Sequence, residues 1–78
     1  MNNELLVRLV IMKNKRVIEA YLDQRLSFQE NFVYLEQLIQ EDLSKAIVYD
    51  PNKKLFLDEK VPLKEFKISY FMLLDLFT

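Results

Sequence analysis

None of the 78 residues is glycine. Turns and helix ends therefore have to close without the one residue that enters positive φ at no steric cost. Phosphate cradles of the P-loop or dinucleotide type, which need glycine for close backbone approach, cannot be built, and nucleotide binding is disfavoured. Cysteine and histidine are also missing. No disulfide framework, thiolate nucleophile, zinc-thiolate site or conventional serine-activating base is available, which removes most catalytic chemistry.

A chain of this length reads as a single domain over residues 1–78, because so short a polypeptide has no material for a second core. Its hydrophobic fraction of 51% supports a compact core without metal or disulfide. Eleven basic and 12 acidic side chains are scattered along it, giving a net charge of −1. That balance lacks the polyanion-binding field of nucleic-acid binders, so no nucleic acid is expected. Glu4 and Arg8 interrupt the first hydrophobic stretch and Asp75 the last. Neither reads as a spanning helix or signal peptide, and a soluble, cytoplasmic protein without membrane insertion is expected.

Leu5 to Met12 carries Arg8 as its only charge and reads as a central strand. After a polar turn in which Asn14 is the residue suited to positive φ, Val17 to Leu22 returns as a hairpin partner, with Ile18, Ala20 and Leu22 inward and Glu19 toward water. Two helix starts follow. Ser27 and Glu30 have capping-box spacing, whereas Asn31, the preferred start, is an N-cap residue directly before Phe32. Phe32, Leu35, Leu38, Ile39 and Leu43 then recur at helical steps, giving an amphipathic helix ending near Ser44, with Lys45 suited to its negative end.

Ala46 to Tyr49 reads as a third strand, stopped by the turn Asp50-Pro51-Asn52-Lys53, and Leu55 to Leu57 as a short fourth. Leu63 to Ile68 spaces its apolar residues as a single helical turn does, and Tyr70 to Phe77 is the last strand. The predicted class is α+β, in the order β-β-α-β-β-β, with a mixed four- to five-stranded sheet packed on one helix.

That order resembles the ubiquitin-like β-grasp fold. The spacing Phe32-x-x-Leu35-x-x-x-Ile39 is similar to the inward positions of the family helix. The stretch Leu63-Lys64-Glu65-Phe66-Lys67-Ile68 is similar to the Leu-Ser-Asp-Tyr-Asn-Ile segment that precedes the last strand of ubiquitin. Among bacterial ubiquitin-like proteins, length and end points look most like the YukD and EsaB family. That resemblance implies a cytosolic accessory of type VII secretion. The chain departs from the pattern at Ser69-Tyr70-Phe71, where the family commonly has a Gly-Asp turn. Conjugating and sulfur-carrier relatives work through a Gly-Gly tail, and Asp75-Leu76-Phe77-Thr78 offers no glycine for that chemistry.

The paired carboxylates Glu41-Asp42 and Asp58-Glu59 sit where exposed charge is ordinary, and adjacent helix residues do not share a face. Asp50, Asp58 and Glu59 lack the spacing of a calcium loop. No catalytic residue, cofactor or metal is expected. What remains is surface: by strand alternation, Leu6, Arg8 and Val10, with Phe71, Leu73, Asp75 and Phe77 and with Val48 from the third strand, are expected to share the sheet face opposite the helix. Such a patch exposes roughly 300 to 600 Å², a size often functional on monomers. The resulting expectation is a non-enzymatic, non-conjugated interaction module that docks this face onto a protein partner, by resemblance a secretion component. A homodimer is the other use of the same patch. The rival reading is a small regulator or inhibitor that binds an enzyme through an acidic helix face of Glu36, Gln37, Gln40 and Glu41.

Overall fold

A computed structural model describes residues 3–78. In chain order the elements are β1 (Glu4–Ile11), β2 (Arg16–Asp23), α1 (Phe28–Ile39), β3 (Ile47–Asp50), β4 (Leu55–Leu57), a 3-10 turn (Leu63–Glu65) and β5 (Leu73–Phe77). They build one five-stranded sheet in the order β2-β1-β5-β3-β4. β1 runs parallel to β5, and the other neighbours are antiparallel. The expected element order is the observed one.

The core lies between α1 and one face of the sheet. Val7, Leu9 and Ile11 of β1 and Leu74 and Leu76 of β5 point to it, against Phe28, Phe32 and Leu35 of α1, all of them buried. Each such side chain contributes about 1.5–3 kcal/mol through removal from water. Leu63, from the 3-10 turn, closes one end, and Phe66 packs on Phe28 with ring centroids 6.1 Å apart.

The helix starts at Ser27 rather than Asn31. Ser27 Oγ accepts from the Glu30 amide at 3.1 Å, and Glu30 Oε1 accepts from the Ser27 amide at 3.0 Å, so each satisfies a donor that the first turn leaves open. Asn31 is buried in the first turn instead, where its carboxamide bridges to β2. Its Oδ1 accepts from the Asp23 amide at 2.8 Å and its Nδ2 donates to the Asp23 carbonyl at 3.1 Å. The helix also ends earlier than Ser44. Gln40 turns left-handed at φ 56° and closes it, while Leu43 reaches the core from the following loop, its amide held by Glu36 Oε2 at 2.7 Å. Lys45 lies beyond the last turn, and the Ile39 carbonyl accepts from Arg16 instead. Leu38, expected on the apolar face, is exposed.

Gln40 is one of several ordinary residues in the region glycine favours, the others being Lys15 (φ 59°), Lys54 (φ 56°) and Phe71 (φ 61°). In the first hairpin the positive φ falls on Lys15 and not on Asn14, because Asn14 serves as acceptor, its Oδ1 taking the Arg16 amide at 3.0 Å. Phe71 breaks the extended run before β5, so the last strand begins at Leu73 and not Tyr70. In β3, Val48 pairs with Leu76 and is wholly buried, so its side chain belongs to the core and not to the opposite face.

Candidate functional site: the open face of the sheet

The face turned away from α1 carries no covering element among the described residues. The β1–β5 register sets Arg8 beside Leu73 and Val10 beside Asp75, which places Leu6, Arg8, Val10, Leu73, Asp75 and Phe77 together, as alternation predicts. All except Phe77 are half-buried by their neighbours. Val48 is absent from the group, being on the helix side. β3 contributes Ile47 and Tyr49 instead, through the pairs Ile47–Phe77 and Tyr49–Asp75.

β4 adds Phe56 opposite Tyr49. Tyr49, Phe56 and Phe77 form one aromatic cluster, with Tyr49–Phe56 centroids 4.9 Å apart in an edge arrangement, Tyr49–Phe77 6.3 Å and Phe56–Phe77 6.2 Å. Such pairs hold their geometry beyond what area burial alone supplies. Within the cluster Phe56 is 61% exposed and Phe77 41%. At the other edge Val17 and Tyr21 of β2 stand opposite Val10 and Leu6 and are also exposed. The apolar face is therefore wider than strands β1 and β5 alone imply, and its most exposed rings lie over β3 to β5. Counting outward from an Asp50 to Lys53 turn would set Tyr49 opposite Lys54; the hairpin instead pairs Asp50 with Leu55, which brings Tyr49 opposite Phe56.

Phe71 meets this face at the entry to β5. Arg8 Nε donates to the Phe71 carbonyl at 3.1 Å, and the Arg8 guanidinium carbon lies 4.5 Å from the centroid of the Phe71 ring. Glu19 stands opposite Arg8 in the register. The arrangement is an apolar and aromatic surface with a small charged group, Arg8, Glu19 and Asp75, within it. No cluster of acidic groups with metal-binding geometry occurs among the described residues.

The carboxylates of the helix end have local duties. Glu36 accepts from the Leu43 amide, and Glu41, outside the helix, pairs with Lys13 Nζ at 2.9 Å. The Lys13 hydrogen bond is the main reason that the Glu41 carboxyl sits below its ordinary range. The Ser44 hydroxyl and amide do the same for Asp42, and the Arg25 side chain for Asp23. The expected acidic face of Glu36, Gln37, Gln40 and Glu41 is thus divided between helix, cap and loop.

Two solved structures share this architecture. A protein designed de novo on the basis of ubiquitin superposes with a TM-score of 0.76 at 14% identity, over 97% of this chain and 89% of the other. The C-terminal ubiquitin-like domain of mouse tubulin-specific chaperone e superposes with a TM-score of 0.71 at 14% identity, over 96% and 86%. No protein-family model matches the chain, and no curated protein matches it. The chain has the ubiquitin-like β-grasp fold.

Proposed function

We propose that this ubiquitin-like domain is a non-enzymatic, non-conjugated interaction module that docks the open face of its sheet onto a larger protein. The observation that carries the reading is the cluster of Tyr49, Phe56 and Phe77, an ordered aromatic group left substantially exposed. Aromatic side chains in such a setting are the usual anchors of protein interfaces, because they bury much area for little rotamer entropy. Arg8 and Asp75 on the same face supply charge that fixes register. The first candidate partner is a cytosolic component of a type VII-like secretion system, on the strength of the resemblance in length to the YukD and EsaB family alone.

The test is capture of the tagged protein with its bound partners from its native host, wild type beside Phe77→Asp. The variant places a carboxylate among the aromatic rings and is expected to lose the partner while keeping its far-ultraviolet spectrum. Apolar docking also predicts that binding changes little as salt rises, since screening acts on charge. Retention of the partner by a folded Phe77→Asp variant contradicts the reading.

A further inference from the structure

β4 closes one edge of the sheet, with no strand beyond it among the described residues. Hydrogen bonds at the centre of the sheet fix which of its backbone groups look outward. The Arg8 and Met12 amides donate to the Met72 and Leu76 carbonyls, so Leu76, and Leu74 by alternation, bond toward β1. Asp75 and Phe77 then bond toward β3, in the pairs with Tyr49 and Ile47. That leaves Val48 and Asp50 to bond to Leu57 and Leu55 of β4. Phe56, between those two, turns both its N–H and its C=O away from the sheet.

The flanks of this edge carry opposite charges. Lys53 and Lys54 precede Leu55-Phe56-Leu57, and Asp58 and Glu59 follow it. Lys53, Lys54 and Asp58 are exposed, and none of the four is engaged in an ion pair among the described residues. Charge at a sheet edge ordinarily turns a neighbouring strand away. Here the segment is its own antiparallel complement. Paired with a second copy about Phe56, Leu55 meets Leu57, Lys54 meets Asp58 and Lys53 meets Glu59. Opposite charges placed across two strands support the pair. A shift of two residues sets Phe56 against Lys54 or Asp58, and a parallel pairing in register sets like charges side by side, so one register is selected.

We propose that the β4 edge pairs two copies of this chain in an antiparallel, twofold arrangement centred on Phe56, which joins two five-stranded sheets into one. The outward N–H and C=O of Phe56 meet those of its counterpart as a bonded pair, and the same patch serves both copies. The two Phe56 rings come together on the open face, so the aromatic clusters of the two copies become continuous. Because the contact runs along the edge and not across the face, it holds whether or not that face docks another protein. With three residues in the strand, the interface is smaller than the roughly 1,200 Å² of stable complexes. The dimer is accordingly weak, with a dissociation constant between about 10 µM and 1 mM.

The test is sedimentation equilibrium, with amide resonances followed on dilution from about 1 mM to about 20 µM. Concentration-dependent shifts are expected at Phe56 and its neighbours in β4. Lys54→Asp and Asp58→Lys each set like charges opposite one another on both sides of the twofold axis, and each should weaken self-association by about tenfold or more. Aspartate tolerates the left-handed conformation at position 54. Mixed in equal amounts, the two variants present opposite charges to each other and should associate about as tightly as the parent does with itself. Recovery in the mixture also shows that neither variant has lost its fold. The proposal is overturned by a parent that stays monomeric at about 1 mM. It is equally overturned by self-association unchanged in both variants, by a mixture that does not associate, or by a dimer whose shifts fall on Leu6, Val10 and Leu73 and spare β4. A monomer whose Phe56 amide shifts only when an unrelated strand peptide, Thr-Ile-Thr-Ile-Thr, is added would give the edge to another protein and overturn it too.

Discussion

Arg8 holds Phe71 by both ends of its guanidinium group: Nε binds the Phe71 carbonyl at 3.1 Å, and the charged plane lies over the ring 4.5 Å from its centroid. Phe71 is left-handed at φ 61°, a conformation that costs a residue with a side chain roughly 1–2 kcal/mol. It persists because Arg8 and the hydrogen bond that the Phe71 N–H donates to the Leu6 carbonyl fix it on both sides.

Arg8→Ala is accordingly expected to cost about 1–2 kcal/mol, the sum of a part-buried hydrogen bond and a cation–π contact. Arg8→Lys keeps the charge but lacks the planar fork, and should recover less than half of the loss. Denaturant titration of the three proteins decides. Equal stability of Arg8→Ala and the parent would mean that the turn holds itself.

Where no such partner exists, the left-handed turn residues are sites of recoverable stability. Lys15→Gly and Lys54→Gly each remove Cβ strain against the extra unfolded-state entropy of glycine, for a net gain of a few tenths to about 1 kcal/mol. Lys53→Gly, one residue away and without positive φ, should instead destabilise by up to about 1 kcal/mol. Thermal melts of the set give the comparison, and a gain at Lys53 equal to that at Lys54 would refute the assignment.

Asn31 joins α1 to the edge of β2 and donates as well to the Ser27 carbonyl at 2.8 Å. Asn31→Ala leaves the Asp23 backbone groups unmet and should cost about 2–3 kcal/mol, whereas Ser27→Ala, which loses only the cap, should cost about 1 kcal/mol. Hydrogen exchange adds a local readout: the Asp23 amide should lose protection in Asn31→Ala and retain it in Ser27→Ala.

The Glu41 carboxyl is held below its ordinary range, chiefly by the hydrogen bond from Lys13. The folded state therefore binds that proton less readily than the unfolded chain. Its stabilising contribution is complete above the ordinary glutamate value of about 4.3 and disappears as pH falls through the lower folded value. Lys13→Ala should be less stable than the parent near neutrality, and the difference should vanish in strong acid, where Glu41 is protonated in both. A difference that grows in acid would mean that Lys13 acts through something other than Glu41.

The sequence carried most of the fold because hydrophobic alternation and helical spacing are local and strong. β1, β2 and β4 stand where the pattern places them, within a residue at each end, and the turn at Leu63 begins as expected but ends at Glu65 instead of Ile68. Errors arose where a polar residue does an unusual job. Asp50 is a buried strand-end residue because its Oδ1 accepts from the Asn52 and Lys53 amides, and a buried aspartate hides the inward phase of β3 that also carries Val48. A one-residue error of phase moves every side chain to the other face, so Val48 exchanged places with Ile47 and Tyr49. Asn31 has the composition of a cap, yet Ser27 already supplies the cap and Asn31 serves the sheet edge. Without glycine, the helix end at Gln40 and the turn at Phe71 left no compositional mark.

The central claim is that the aromatic sheet face contacts another protein, and site-specific photo-crosslinking tests it most directly. A photoreactive phenylalanine analogue replaces Phe56, which is 61% exposed, and in a second protein replaces Gln37 on the outer side of α1. Irradiation in the native host should join the Phe56 position, and not the Gln37 position, to one larger protein, with the adduct lost when Phe77→Asp is added. Adducts from Gln37 alone, or from Phe56 only to a second copy of this chain, would contradict the account.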